Sequence, residues 1–196
     1  VGCLATLAAE KAARGEKFFK ELDFVLANQV LIVLTNIALV LALTPAAAIA
    51  APPAAGTLAA AQAALPGFFL QAGDFSVSQR AVCFVSKAVQ FSAVGSITSA
   101  CGQAVTKGLV AVRTKLEPDV QSEVELAPVL ETAGAYAVFM GVSSNTRYQI
   151  VNSLEAYGLP AVPPALRVPT SFIVRTFNNY LGSSNWIWWA KFRGLQ

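Results

Sequence analysis

Histidine is absent from the 196 residues of this chain, and charged residues are scarce. Because imidazole is the usual general base near neutral pH and the commonest metal ligand, its absence excludes Ser-His-Asp, Cys-His and His-zinc chemistry. Only 13% of the residues are charged, while 55% are hydrophobic. A soluble domain carries roughly twice that share of charge, so the composition predicts a membrane protein rather than a soluble enzyme.

The charge that is present forms no basic stripe. Fourteen basic and eleven acidic residues are spread along the chain and give a net charge of +3. A nucleic-acid binder concentrates positive charge on one face, so we expect no nucleic-acid partner. The three cysteines include no CxxC pair and are odd in number, which indicates neither a disulfide framework nor a cysteine-ligated cluster.

The first 23 residues differ from the rest of the chain. They mix acidic and basic residues at helical spacing and predict a polar or amphipathic stromal-type segment that faces water or lies on the membrane surface. The segment lacks the pattern of a signal peptide. Because the chain starts at Val1 without Met, we expect that a targeting segment was removed or lies outside this sequence.

Residues 24–73 form fifty consecutive positions without a charge, whereas a spanning helix needs about twenty. We therefore predict an all-α integral membrane protein in which 24–196 is a single domain with four or five transmembrane helices. The alanine-rich, proline-broken stretch 46–72 is a second span over 54–72, a re-entrant segment or an apolar interfacial loop. The other predicted spans are 25–43, 88–106, 126–142 and 169–190.

Small residues recur in the predicted span 88–106 at a spacing that lets two helix backbones approach closely. This pattern predicts a helix-packing face, although small residues are also common in weakly hydrophobic helices. The five residues of this face are Ser92, Gly95, Ser96, Ser99 and Ala100.

Two charges interrupt the last two predicted spans. Glu131 lies in the fourth and Arg175 in the fifth, and an isolated charge at membrane depth is costly unless it is paired. We predict a buried ion pair between them; the alternative is that both side chains reach water.

Two further groups of residues suit the membrane surface. A polar block after the fourth span contains Asn145 and Arg147, and we predict that it docks on lipid phosphate or on a partner carboxylate. Aromatic and basic residues cluster where the last helix would leave the membrane, which predicts an interface anchor. The anchor residues are Trp186, Trp188, Trp189, Lys191 and Arg193.

Three stretches of the chain carry a family resemblance. They are 26–45 (LANQVLIVLTNIALVLALTP), 139–154 (FMGVSSNTRYQIVNSL) and 172–196 (FIVRTFNNYLGSSNWIWWAKFRGLQ). The chain resembles the reticulata-related family of plant and algal plastid membrane proteins in these blocks and in their order. The resemblance implies a nuclear-encoded plastid protein with several membrane helices, associated with the envelope and with leaf and chloroplast development. It implies no biochemical mechanism.

Amide and carboxylate oxygens offer the one cofactor chemistry that the sequence suggests. Hard oxygen ligands suit magnesium, so such a group could coordinate a chlorophyll in the absence of histidine. The alternative is that the amides hydrogen-bond to neighbouring helices. The candidate ligands are Asn36, Gln90, Gln103 and Glu131. Carotenoid or lipid at the membrane-facing surface is the other cofactor expectation.

The sequence favours a non-catalytic structural or accessory subunit of the thylakoid or the inner envelope. Its expected partners are membrane lipids and a larger membrane-protein complex, with a photosystem and its antenna as one candidate. The alternative is a plastid-envelope transporter or channel for a small metabolite, which the broken segment and the two charges at membrane depth would suit.

Overall fold

The structure is a computed structural model. It describes residues 2–19, 58–116 and 127–195, together with eight separate positions between residues 22 and 37, each of which is helical.

Helices make up most of the described chain. They are α1 (Gly2–Arg14) with a 3-10 turn (Gly15–Phe18), α2 (Leu58–Ala63), α3 (Val77–Leu116), α4 (Val129–Phe139), a π-helical turn (Met140–Ser144), α5 (Asn145–Gly158), a second 3-10 turn (Leu159–Ala161) and α6 (Pro164–Phe192).

Helices α4 and α5 form one continuous rod through the π-helical turn. The residues that flank this turn, Phe139 and Asn145, keep right-handed helical dihedral angles. A proline precedes the first helix of the rod and also the next helix, α6. Pro128 stands before α4 with an extended ψ of 133°, and Pro163 stands before α6 with an extended ψ of 139°. Proline suits these positions because a helix start needs no backbone N–H from it.

The long helix α3, the α4–α5 rod and α6 pack side by side, and α1 packs against α6. The rod runs antiparallel to α3, since Gly95 lies near Met140 whereas Phe84 lies near Asn145. Buried aromatic and sulfur-containing side chains form the core between these elements. Phe91, Phe139 and Met140 are its buried members, and Tyr136, Tyr148, Trp186 and Trp189 pack around them.

The prediction of four or five transmembrane helices is wrong. Among the described helices, one is long and apolar enough to cross a membrane, and its apolar part extends over Val77–Val112. This helix contains the predicted span 88–106. Such a helix has the length and composition of a span, and only 17% of its most apolar window is buried within the chain.

The other predicted spans fail for reasons of length or polarity. The span at 126–142 corresponds to the eleven residues of α4 and part of the π-helical turn, after which the rod becomes polar. The span at 169–190 lies within α6, where Arg175 and several Asn and Ser residues dilute the apolar character. Residues 58–72 form the short helix α2 and a turn-rich loop rather than a span.

Two predictions fall partly outside the described residues. Residues 46–57 of the broken stretch lie outside the described residues, as does most of the predicted span at 25–43, of which only the helical positions noted above are described. Within the polar segment 1–23, the charged helix α1 contains an ion pair between Arg14 and Glu10 at 2.6 Å.

Candidate functional site

Helix α3 and the π-helical turn approach each other closely at small residues. A Cβ atom on Gly141 would lie 2.2 Å from the Ser92 hydroxyl oxygen. A Cβ atom on Gly95 would lie 2.6 Å from Met140 Cγ. The Ser92 hydroxyl donates to the carbonyl oxygen of Ala137 at 2.9 Å and joins the two helices. The contact leaves no room for a methyl group at position 141.

The predicted helix-packing face enters this contact with two of its members. Ser92 and Gly95 lie at the closest approach. The Ser96 hydroxyl donates to the backbone of its own helix at 3.0 Å, and Ser99 and Ala100 are half-buried further along α3.

An apolar groove of about 630 Å³ lies beside this contact, between α3 and the α4–α5 rod. Its rim carries four valines that are 53–65% exposed, namely Val85, Val89, Val138 and Val142. We call this feature the valine groove. It offers an aliphatic surface without a charged group, so it suits an acyl chain or an apolar helix better than a polar solute.

The aromatic residues of the predicted interface anchor divide between the interior and the surface. Trp186 packs edge-on against Tyr136 with 4.7 Å between ring centroids. Trp189 donates its Nε1 hydrogen to the carbonyl oxygen of Ala135 at 3.0 Å. These two rings therefore hold α6 against α4, whereas Trp188 is 67% exposed.

The exposed remainder of that anchor lies at the end of α6. Trp188 stacks on Phe192 with 5.8 Å between centroids, and the side chains of Lys191 and Arg193 are exposed. Arg193 also lies over the ring of Trp189 at 5.9 Å. An aromatic pair beside two basic groups is the arrangement that an interface anchor requires.

A non-helical loop, residues 66–73, precedes α3, and side chains of α3 and α5 bind its backbone. Arg80 donates to three carbonyl oxygens of the loop at 2.6, 3.0 and 3.5 Å. The Cys83 thiol donates to a fourth at 3.0 Å. From α5, Tyr148 donates to a fifth at 3.3 Å and Tyr157 donates to a sixth. Burial raises the pKa of the Tyr148 hydroxyl, which keeps it protonated as a donor.

Two amides on α5 complete this arrangement. Gln149 accepts the backbone N–H of Phe69 at 2.7 Å and donates to Asn145 Oδ1 at 3.1 Å. Asn145 in turn donates to the carbonyl oxygen of Phe84 on α3 at 3.1 Å. We call this set of side chains the loop network: Arg80, Cys83, Tyr148, Gln149 and Tyr157 bind the loop, and Asn145 joins Gln149 to α3. Few backbone groups of this loop bond to each other, so the network supplies hydrogen-bond partners for them. Non-helical backbone in an apolar environment needs such partners.

Arg147 lies between the π-helical turn and α6. Its Nη1 donates to Ser143 Oγ at 2.5 Å and its Nη2 to Ser144 Oγ at 2.9 Å. Its guanidinium carbon lies 5.3 Å from the centre of the Phe139 ring. Asn145 and Arg147, which the sequence grouped as one docking pair, therefore serve different contacts, because Asn145 is fully buried against α3.

The ion pair of Arg175 differs from the predicted one. Its Nε and Nη2 donate to the two carboxylate oxygens of Glu155 at 2.8 and 2.5 Å, and Ser171 donates to the same carboxylate at 2.6 Å. Partial burial would raise the pKa of the Glu155 carboxyl, but the hydrogen bonds from Arg175 and Ser171 and the charge of Arg175 outweigh it and lower that pKa. Glu131 is exposed in the first turn of α4, so the predicted pair of Glu131 with Arg175 is corrected to Glu155 with Arg175.

The candidate pigment ligands do not form one site. Gln90 accepts a hydrogen bond from Lys87 at 3.4 Å, and Gln103 Oε1 is buried without a partner. These two lie on α3 about 20 Å apart at the rise of a helix. Asn36 and Glu131 are exposed. Among the residues that the structure describes, no group of three or more Cys, Asp or Glu could hold a metal ion.

Sequence reasoning missed Glu155, Gln149 and the loop donors. Gln149 follows Asn145 by four residues, a spacing that puts two amides on one helix face and could have indicated a joint contact. Glu155 was overlooked because it lies outside the predicted spans, where an acidic residue needs no partner.

The comparisons with known proteins agree on one family. The family described as "RETICULATA-like: Protein RETICULATA-related" matches residues 1–154. This match covers more than three quarters of the chain. The chain belongs to the RETICULATA-related family. The resemblance seen in the sequence is therefore confirmed.

Individual relatives of this RETICULATA-related chain come from Arabidopsis thaliana. "Protein RETICULATA-RELATED 4, chloroplastic" is 32% identical over 211 residues, which cover 100% of this chain and 53% of the relative. "Protein RETICULATA, chloroplastic" is 31% identical over 207 residues, which cover 99% of this chain and 47% of the relative. The chain thus spans about half the length of the curated relatives it matches. No solved structure matches it significantly.

Most of the contacts described above lie within residues 1–154, which the family matches. The match ends at Leu154, and it includes the glycine contact, the valine groove and all of the loop network except Tyr157. Helix α6 and the Glu155–Arg175 pair lie beyond it, in a part that the curated RETICULATA relatives also cover.

Proposed function

We propose that this RETICULATA-related chain is a non-catalytic plastid-membrane protein that enters the bilayer through α3 and packs against other membrane subunits. The observation that supports this proposal is the uncovered apolar surface of α3. The side chains of Val82, Val85, Val89 and Ile97 are 53–63% exposed on this helix. Contiguous apolar surface of this kind marks a contact with lipid or protein.

The valine groove extends that surface onto the rod. It joins exposed aliphatic side chains from two helices into one concave strip. An apolar helix of a partner subunit or an acyl chain would cover it without leaving an unpaired polar group. The groove is therefore the surface through which we propose that the chain acts as an accessory subunit of a larger complex, a photosystem with its antenna being one candidate.

The plastid part of the proposal comes from the relatives. The names of those in Arabidopsis thaliana describe them as chloroplastic, which supports a plastid localisation for this chain. Within the plastid, we propose the thylakoid or the inner envelope as the membrane.

A structural role also fits how the polar groups of the site are used. The loop network donates to backbone carbonyls, and its two amides bind each other and the backbone. Groups engaged in this way hold the fold together and are not free to move protons or bind a substrate. The pigment ligands remain a prediction, for which the unpartnered Gln103 oxygen is the best candidate.

Transport of a small metabolite is the second candidate function. The loop at 66–73 favours it, since transporters use non-helical segments that protein shelters within the membrane. In this chain the backbone of the loop is bound by the network rather than open to a solute, so we rank transport second.

Cysteine labelling tests the membrane placement of α3. Cys101 is exposed on the chain and lies within the uncharged stretch of α3. In opened plastid membranes from a Cys3→Ser, Cys83→Ser background, we expect a charged maleimide to label Cys101 only after denaturation. As a matched control, Lys115→Cys in a Cys101→Ser background puts the thiol beyond the apolar part of α3 and should be labelled at once. Equal labelling at the two positions before denaturation would refute the spanning role of α3.

Separation of gently solubilised complexes tests the accessory role. We expect the chain to migrate with a larger membrane complex, and a Val85→Asn, Val89→Asn variant to be released from it, because amides in the valine groove would be buried unpaired. Val77→Asn is the control, since this 81%-exposed valine lies outside the groove. Migration of the unaltered chain as a small oligomer would favour transport instead.

A further inference from the structure

Arg147 is a half-buried arginine without a carboxylate partner in the part of the chain that the structure describes. Its two terminal nitrogens bind neutral serine hydroxyls, and its Nε is buried with no acceptor. By contrast, Arg175 has a carboxylate that binds it at two points. Arg147 is thus more buried than Arg175, but its positive charge has no carboxylate beside it, whereas that of Arg175 has one.

A buried cation of this kind lowers the stability of the folded chain when no anion is bound. Burying a cation without a counter-ion loses hydration that neutral hydroxyls replace only in part. Burial accordingly lowers the pKa of the Arg147 guanidinium, with a smaller opposing effect from Tyr136. A bound anion would supply both the missing acceptor and the missing charge.

We propose that Arg147, Ser143 and Ser144 form a binding site for a phosphate-type oxyanion. A guanidinium has five N–H donors, of which two are used here, so three remain for an anion and the buried Nε hydrogen is one of them. Each serine hydroxyl accepts from Arg147 and keeps its own hydrogen to donate. The guanidinium fork matches the oxygens of both carboxylates and phosphates, and the two flanking hydroxyls add donors for the further oxygens of a tetrahedral anion.

The position of the site in the bundle favours a lipid headgroup as the source of that anion. Asn145, two residues before Arg147, binds the backbone of Phe84, just before Lys87 and the uncharged stretch 88–106 of α3. If α3 spans a bilayer, Arg147 lies at the level where this stretch ends and lipid phosphates begin. The lipid source therefore rests on the proposed function, whereas binding of a free phosphate does not.

Gly182 of α6 forms one wall of the site. A Cβ atom at this position would lie 3.0 Å from Nη2 and 3.3 Å from Cζ of Arg147. Alanine would displace the guanidinium without changing the net charge, and the flexible arginine can give way without disturbing the backbone. Gly182→Ala thus tests the geometry of the site separately from its charge.

Native mass spectrometry of the full chain in mild detergent tests the lipid source, with phosphatidylglycerol and phosphatidylcholine as probes. We expect preferential retention of phosphatidylglycerol, and a loss of about tenfold or more in Arg147→Gln, since a charge-assisted hydrogen bond contributes roughly that factor. Gly182→Ala should weaken retention by several-fold. Lys115→Gln removes one exposed charge at the far end of α3 and should change retention by less than about twofold.

Thermal shift with inorganic phosphate is the second arm. Arg147-dependent stabilisation by phosphate without preferential lipid retention would support the oxyanion site and assign it to a free anion. A lack of Arg147 dependence with both probes would overturn the proposal, as would an equal loss in the Lys115→Gln control. Failure of the proposed function would be seen separately from failure of the anion site, because a charged maleimide would then label Cys101 in the membranes before denaturation.

A ligand-free measurement separates a binding role from a structural one. Arg147→Met keeps an unbranched apolar stem but removes the charge, so without anion its melting temperature should equal or exceed that of the unaltered chain. A clear decrease would mean that the guanidinium stabilises the empty fold, which would contradict a site that awaits an anion.

Discussion

Substitution of Gly141 by alanine should destabilise the bundle more than alanine at the other two glycines of the rod, Gly134 and Gly158. The new Cβ would lie 2.2 Å from Ser92 Oγ and 3.1 Å from the carbonyl oxygen of Ala88. Neither neighbour is the free end of a long side chain, so α3 and the π-helical turn must separate or Ser92 must rotate. Rotation would break the 2.9 Å hydrogen bond from Ser92 to Ala137.

The magnitude follows from these terms. Overpacking of a close contact costs about 1–3 kcal/mol, and loss of the Ser92 hydrogen bond costs about 1 kcal/mol. The higher helix propensity of alanine returns about 0.5–1 kcal/mol. We therefore expect the free energy of unfolding of Gly141→Ala to fall by about 1–3.5 kcal/mol.

Denaturant unfolding followed by far-UV circular dichroism, in one detergent for all variants, measures this effect. Gly134→Ala is the matched control, because no atom lies within 4 Å of the Cβ that it adds on the same rod. It should be neutral or slightly stabilising. A double-mutant cycle with Ser92→Ala completes the test, since that change removes Oγ and leaves the Ser92 Cβ at 3.6 Å.

In the Ser92→Ala background, the cost of Gly141→Ala should be smaller by about 1 kcal/mol or more, because the closest clashing atom is gone and only the 3.1 Å approach to the Ala88 carbonyl oxygen remains tight. An equal cost in both backgrounds would refute the argument that Ser92 limits the approach. Equal stability of Gly141→Ala and Gly134→Ala would refute the close contact itself.

Three further predictions concern the polar contacts. Glu155→Gln should lower the free energy of unfolding by about 1 kcal/mol at pH 7. Because the folded-state pKa of Glu155 is below its ordinary value, the difference between the two proteins should shrink as the pH falls through that lowered pKa. A difference that grows in acid would contradict the pairing. Gln149→Leu leaves the Phe69 N–H without its acceptor, so limited proteolysis should cut the loop at 66–73 faster than in the unaltered chain; an unchanged rate would mean that the remaining donors hold the loop. Trp189→Phe removes the donor to Ala135 and should cost about 1 kcal/mol in thermal unfolding, whereas Trp188→Phe, at an exposed ring, should have little effect.

The helical nature of the chain and its most apolar helix were predictable, but the number of spans was not. Hydropathy identified 88–106 because nineteen residues there lack a charge. It failed at 126–142, where the apolar run continues through a π-helical turn into a polar helix. Composition alone does not show that this run is divided between an eleven-residue helix and a π-helical turn.

The partners of individual side chains were the least predictable feature. Arg175 was assigned to Glu131 because both lay in predicted spans, whereas the fold brings it to Glu155 across the antiparallel turn between α5 and α6. Trp186 and Trp189 have the sequence pattern of a surface anchor, but their rings fill the space between α6 and α4. Such contacts depend on how two helices are rotated about their axes, which one sequence does not specify.

The π-helical turn gives the rod a local tolerance to chain length that its side chains do not reveal. One extra residue is accommodated within Met140–Ser144, and α5 leaves the turn with Asn145 and Gln149 facing the neighbours that they bind. Because the wide turn takes up this residue, deleting one residue of the turn would restore a regular helix and leave α5 at nearly the same rotation relative to α4. The same deletion within α4 would instead rotate everything after it by about 100°, so the amides would leave the loop and Arg147 would leave α6.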